Sequence, residues 1–320
     1  MPSLQELIHK FEEGEGTKSI TKLAILLAFV ALLIVYNVRE YRNFSSPEAM
    51  ELSQLARNVS EGKGFTTQSI RPFSLAMVGS QRGENKDDPM MLKQPHPDLT
   101  HPPVYPFVLS LWMKVVPFQY DIPSLRAENF RRYQPEVMIS FLNQLFFVIT
   151  GIVLFFLSRR LFDPSVAWMS TAVFFGSDVL WRFSISGLTT MLSILFFVLL
   201  LTCLVVMERA SRASLEEMDD DEEEGVALRP RPRSVAWYFG IAALAGLIIG
   251  LGGLTRYSFL WLLFPSLLFV GVYVKSHKVP VILTTLAVTL VLVGPWLVRN
   301  YQASGTLFGI SSYNVAMDTS

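Results

Sequence analysis

The sequence predicts an all-α polytopic membrane protein, and three observations carry that expectation. Hydrophobic residues make up 51% of the chain and charged residues 17%, where an ordinary soluble domain carries about 25% charged residues. The charges fall in blocks. Between them lie apolar runs at 20–38, 103–118, 137–157, 164–181, 185–207, 235–252, 257–274 and 279–298. Most of these approach the ~20 residues a helix needs to cross ~30 Å of hydrocarbon. The long polar segments that remain, 39–101 and 208–234, join apolar runs.

Taken in order, the N-terminus (1–19) reads as a cytoplasmic segment too polar for a signal peptide, and 20–38 as the first transmembrane helix. The segment 39–118 reads as an outer loop. Within it, SSPEAMELSQLARNVSEGKGF predicts a helix. Ser46 is placed to cap it, Pro47 suits its first position, and Glu48 favours its first turn. Leu52, Leu55, Ala56 and Val59 form one apolar stripe, which Gly62 and Gly64 terminate. A short amphipathic helix beside a span is expected to lie on the membrane surface. Transmembrane helices follow over 119–207. The stretch 208–234, with DDDEEE and RPRPR, reads as a disordered charged cytoplasmic linker. Further spans occupy 235–298, and 299–320 is an outer tail.

Charge sets the topology. If 103–118 crossed, Arg159, Arg160, Lys275, Lys278 and the arginines of 208–234 would all lie outside; if it does not, all lie inside. The positive-inside rule favours the second arrangement. The run is also short, carries Lys114, and is punctuated by Pro106 and Pro117. It is therefore expected to dip in or to lie at the outer interface. The loop 39–101, Arg182, Arg256 and Arg299 then share the outer side.

Composition also excludes some classes. The 27 Lys and Arg balance 27 Asp and Glu, so no electrostatic footprint for nucleic acid exists. The one cysteine, Cys203, permits no intrachain disulfide and no Cys-based metal site. There is no fixed-period repeat of the kind many transporters show.

The candidate site residues follow from the topology. Arg182, Arg256 and Arg299 each end an apolar run. A single arginine there snorkels to headgroups, but three on one side suit a lipid phosphate, which a guanidinium fork matches. Glu48 and Glu51 lie three apart on the predicted helix, where a carboxylate could take a proton from an acceptor; a capping or surface role is the plainer reading of each. In QPHPDLTHPP, His96, Asp98 and His101 are possible metal donors. The interleaved prolines favour a tight turn that seats the loop, with His101 free to bind phosphate or sugar.

Several stretches in order, PEAMELSQLARNVSEGKGFTT, THPPVYPFVLSLWMKV, LFFLSRRLFDPSVAWMSTAVF, SISGLTTMLSILFFVLLL, GLGGLTRYSFLWLLFP and GPWLVRNYQASGTLF, cover roughly 45–310. Together they resemble the GT-C superfamily of integral-membrane glycosyltransferases, in the protein mannosyltransferase and aminoarabinose transferase branch. The resemblance implies a GT-C-like transmembrane helical bundle with amphipathic juxtamembrane helices in the first outer loop. It implies a polyprenyl-phosphate-linked sugar as donor and a glycan, lipid or protein as acceptor, among membrane lipids. It places Glu48, with Glu51 beside it, as the base, and Arg256, Arg182, Arg299 and His101 around the donor phosphate. No cofactor is expected, a divalent metal being the weaker reading. The implied location is a bacterial inner membrane, with the site facing the periplasm. The sequence departs from the family pattern twice: Glu48 stands where aspartate is usual, and no acid lies near Thr190. The alternative is a non-catalytic GT-C-like scaffold or lipid-binding subunit of a membrane complex. Family members often continue with more spans, so a partner subunit is a further expectation.

Overall fold

The computed structural model describes residues 15–83, 94–121, 132–220, 234–275 and 277–312. Helix α1 (Glu15–Val35) continues as a π turn over Tyr36–Glu40, and α2 is Pro47–Ser60. Strand β1 (Thr66–Thr67), helix α3 (Pro72–Arg82), strand β2 (His96–Pro97) and helix α4 (Val104–Val115) complete the first loop region. Next come α5 (Gln134–Leu161), α6 (Pro164–Gly176), α7 (Asp178–Ser184), α8 (Thr190–Asp220) and α9 (Val235–Gly253). A 3-10 helix (Tyr257–Leu262), α10 (Leu263–Tyr273) and α11 (Lys278–Ser304) follow. The strands pair antiparallel, Thr66 with Pro97 and Thr67 with His96.

Among the described residues, five helices are long and apolar enough to cross a membrane: Leu23–Glu40, Gln134–Leu161, Thr190–Arg212, Val235–Gly253 and Lys278–Ser304. Two further runs expected as spans are broken. The run 164–181 divides at Ser177, whose extended backbone (φ −77°, ψ 112°) ends α6 and starts α7. The run 257–274 opens as a 3-10 helix before α10, and Pro265, which has no N–H to give, sits in the first turn of α10. The third short apolar run, 103–118, forms the 12-residue α4, about 18 Å long and too short to cross. It is held to the bundle instead: Val104 N donates to the Leu254 carbonyl (2.9 Å) and Trp112 Nε1 to that of Met138 (2.9 Å).

Helix α2 starts at Pro47 and stops before Gly62 and Gly64, both at φ 75°. Two local expectations are corrected. The Ser46 side chain makes no capping bond; Pro47 sets the helical entry by its own ring geometry. The apolar stripe does not float on a membrane surface. Ala49, Leu52 and Ala56 are buried against Tyr105 and Leu109 of α4, Ile139 and Leu142 of α5, and Leu192 and Leu195 of α8. An apolar face that meets protein at such close range has no need of lipid. The linker expectation also changes at its start. Helix α8 runs on to Asp220, with Glu208 and Arg212 paired one turn apart. The remainder, 221–233, lies outside the described residues, as do 1–14 and 313–320.

Small residues let α9 and α11 approach closely. Thr285 Oγ1 donates to the Ala242 carbonyl (3.2 Å) and Thr289 Oγ1 to that of Gly246 (3.1 Å). A Cβ added at Gly246 would lie 2.6 Å from the Thr285 carbonyl oxygen. Gly246→Val is therefore expected to push these helices apart and to lower stability by roughly 1–3 kcal/mol, read as a fall in thermal unfolding temperature in detergent. The pair matters to the site, because Thr255 and Arg256 follow α9 directly and Arg299 lies near the end of α11.

Candidate functional site

The segments that follow α9 and α11, the residue before α8, helix α2, the start of α10 and the loops before α3 and α4 converge on a cavity of about 950 Å³. Its polar side carries Glu48, Arg71, Thr100, His101, Thr189, Thr255, Arg256, Ser258, Ser311 and Ser312. Its apolar side carries Leu52, Leu260, Trp261, Phe264 and Phe308. Trp261 and Phe264 are 71% and 67% exposed, so the apolar wall continues onto the outer surface of the bundle.

Glu48 projects from the first turn of α2, and Arg256 from the link between α9 and the 3-10 helix. Both line the cavity, and neither side chain has a hydrogen bond or ion pair to a described residue. One open carboxylate and one open guanidinium thus face one space. Beneath Glu48, Tyr105 locks α4 in place: its hydroxyl donates to the Gly187 carbonyl (2.8 Å) and accepts from Asn143 Nδ2 (2.9 Å).

Glu51 is a different case. It accepts from Ser69 Oγ (2.8 Å) and from Arg71 Nη2 (2.5 Å), and lies 3.5 Å from His101 Nε2. A carboxylate so engaged holds Arg71 and His101 in the wall and is poorly placed to take a proton from a substrate. His101, 6% exposed, also meets Asp98 Oδ2 through Nδ1 (2.8 Å). Asp98 accepts from the backbone N–H groups of Thr100 (2.6 Å) and His101 (2.9 Å). Burial acts to raise the Asp98 carboxyl, but the His101 ring and these two N–H groups outweigh it and hold it below the usual carboxylate range. The HPP turn is therefore built around a buried acid.

The three arginines part company. Arg256 lines the cavity. Arg299 gives Nη1 to the Asp98 carbonyl (2.6 Å) and to Asn300 Oδ1 (3.0 Å), and Nη2 to the Phe65 carbonyl (3.3 Å), and it stacks 4.7 Å from the Trp296 ring centre. Its fork is occupied in clamping the loop, outside the cavity lining. Arg182 is exposed and pairs with Asp178 (2.7 Å), which also accepts from Tyr36 (2.6 Å) and so ties α1 to α7. It too is absent from the lining. His96 sits in β2 beside Thr67. Among the described residues no three His, Cys, Asp or Glu side chains are placed to hold a metal ion. Cys203 is buried.

Sequence reasoning missed Arg71, Tyr257 and the serines at 258, 311 and 312. Arg71 carries no local signal, because its partner Glu51 is 20 residues away. By contrast, Asp178 and Arg182 stand at helical i,i+4 spacing, a local signal that the expectation for Arg182 did not use.

No protein-family model matches the chain, and no curated protein matches it in sequence. Among solved structures it is similar to the oligosaccharyltransferase of Archaeoglobus fulgidus, determined with a tethered acceptor peptide containing the NVT sequon. The TM-score is 0.52 at 12% identity, over 92% of this chain and 34% of that one. The chain thus spans about a third of that protein's length. At this identity the likeness concerns the fold alone, a GT-C-like membrane helical bundle.

Proposed function

We propose that the protein is a glycosyltransferase that moves a sugar from a polyprenyl-phosphate donor to an acceptor on the outer, periplasmic face of a bacterial inner membrane. The observation that carries this reading is the pairing of Glu48 and Arg256 in one cavity with an apolar wall that reaches the bundle surface. A lipid-linked sugar phosphate needs an apolar path for its tail, a cation for its phosphate and a base for the acceptor. The tail would follow Trp261 and Phe264. Arg256 would hold the phosphate and stabilise the charge that builds on it. The acceptor's hydroxyl or amine would give its proton to Glu48 as its oxygen or nitrogen bonds to the anomeric carbon. The bond from that carbon to the phosphate oxygen breaks, its electron pair stays on the oxygen, and polyprenyl phosphate leaves with the sugar inverted. The archaeal neighbour was solved with a peptide acceptor, and a protein, glycan or lipid acceptor suits the open cavity.

The experiment is a titration of prenyl monophosphate, the product transfer would leave, into protein in lipid nanodiscs. Arg256→Ala is expected to weaken binding roughly tenfold or more, the loss that goes with a charge-assisted contact. Unchanged binding would remove Arg256 from the donor site. A second reading, donor binding without chemistry, draws on one feature: Glu48 is the only acidic residue among the described residues lining the cavity, and no acid lies near Thr190, where the family the sequence resembles commonly has one. A binder would use Arg256 and the apolar wall but not Glu48.

A further inference from the structure

Tyr257 follows Arg256 in the cavity wall, and its hydroxyl is constrained from two sides. The oxygen lies 2.8 Å from Trp296 Nε1 and 3.1 Å from Asn300 Nδ2. An indole nitrogen can only donate, which fixes the direction of the first bond. The second is fixed by the surroundings of the amide. Asn300 Oδ1 accepts from Arg299 Nη1 (3.0 Å), and Nδ2 also reaches the Leu307 carbonyl (3.4 Å). Turning the amide over would set donor against donor at Arg299 and acceptor against acceptor at Leu307. Both neighbours therefore donate to the phenol oxygen, and its own hydrogen has no acceptor among the described residues. A hydroxyl in this position gives its hydrogen to something else.

We propose that Tyr257 donates this hydrogen to a phosphate oxygen of the anion held by Arg256, and so forms a second recognition group for the donor's phosphate. The inference rests on the donor reading above. Two N–H groups pointing into the oxygen polarise the O–H bond and make it a stronger donor. The ring is held edge-on to Phe308, with centroids 5.3 Å apart and planes at 77°, so the hydroxyl is fixed before ligand arrives. The competing role is structural, with Tyr257 serving only as acceptor for Trp296 and Asn300.

Ring fluorination separates the two roles, because it makes a phenol a better donor and a poorer acceptor. The experiment titrates prenyl monophosphate into nanodisc protein carrying 3-fluorotyrosine at position 257, at a pH well below the fluorophenol's own titration. Binding at least about twofold tighter than wild type is expected, with Tyr257→Phe weaker by roughly tenfold or more. Phe leaves two N–H groups without an acceptor and could unsettle the fold, so the fluorinated protein, which keeps every contact, is decisive. Binding by the fluorinated protein that is unchanged or weaker overturns the proposal. If wild type binds in an Arg256-dependent way and fluorination has no effect, Tyr257 is structural and the donor reading stands. If wild type binds no prenyl phosphate, both fall together.

Discussion

Glu48→Gln is expected to lower kcat for sugar transfer by about 10²- to 10⁴-fold, the usual contribution of a positioned general base, with donor binding close to wild type. The amide has nearly the same shape but cannot take the acceptor's proton. The structure predicts little collateral damage. The Glu48 side chain is exposed to the cavity and makes no hydrogen bond or ion pair with a described residue. The change removes one first-turn charge from α2, a loss of roughly 0.3–1 kcal/mol. Four buried residues of that helix, Ala49, Leu52, Leu55 and Ala56, keep it seated. Initial rates at saturating donor, beside a separate binding titration, check this. On the proposed reading the base role falls to Glu48 and not to Glu51, because Glu51 is already held by Ser69 and Arg71. Glu51→Gln should therefore disturb the wall through Arg71 and not act as a simple loss of base.

Asp98→Ala is expected to cost the outer loop about 3–5 kcal/mol, the range for breaking a buried charged pair. The acid is 4% exposed. Its removal leaves the backbone N–H groups of Thr100 and His101 and the His101 ring without their acceptor. Arg299 holds the main-chain carbonyl of residue 98 from the other side, a contact the substitution leaves in place, so the loss falls on the turn itself. The effect is linked to pH. The folded Asp98 carboxyl lies below its ordinary value, so its contribution is fully present above about pH 4, the unfolded value. It is lost as the pH falls through the lower, folded value. Protection of the amides of residues 98–101, measured against their intrinsic exchange rates, should therefore fall in wild type on acidification below about pH 4. In Asp98→Ala that protection should be low at every pH.

The long helices were legible because 18 or more apolar residues in a row leave the chain few alternatives. The α2 stripe was legible from its spacing, although what it meets was not: spacing shows that a face is apolar and is silent on whether lipid or protein covers it. The breaks at Ser177 and over Tyr257–Leu262 were not legible, since the apolar runs continue through both. The three arginines looked alike because each ends an apolar run, and only Arg182 has a partner with a local signal, Asp178 one turn away. Arg299 is captured by the main-chain carbonyls of Asp98 and Phe65, about 200 residues or more away in the chain, and any residue type supplies a carbonyl. Arg256 stands out only when the cavity is seen. Tyr257 was invisible for the same reason, its partners Trp296 and Asn300 coming from α11.

The most direct test of the account follows phosphorus in nanodiscs loaded with a polyprenyl-phosphate sugar and a mixture of glycan, lipid and peptide acceptors. Transfer turns a phosphodiester into a phosphomonoester, which ³¹P NMR resolves. The account predicts that the intact protein makes this conversion and that Glu48→Gln binds the donor without making it. A donor panel that binds to both proteins and is converted by neither would contradict glycosyl transfer and leave a lipid-phosphate binder.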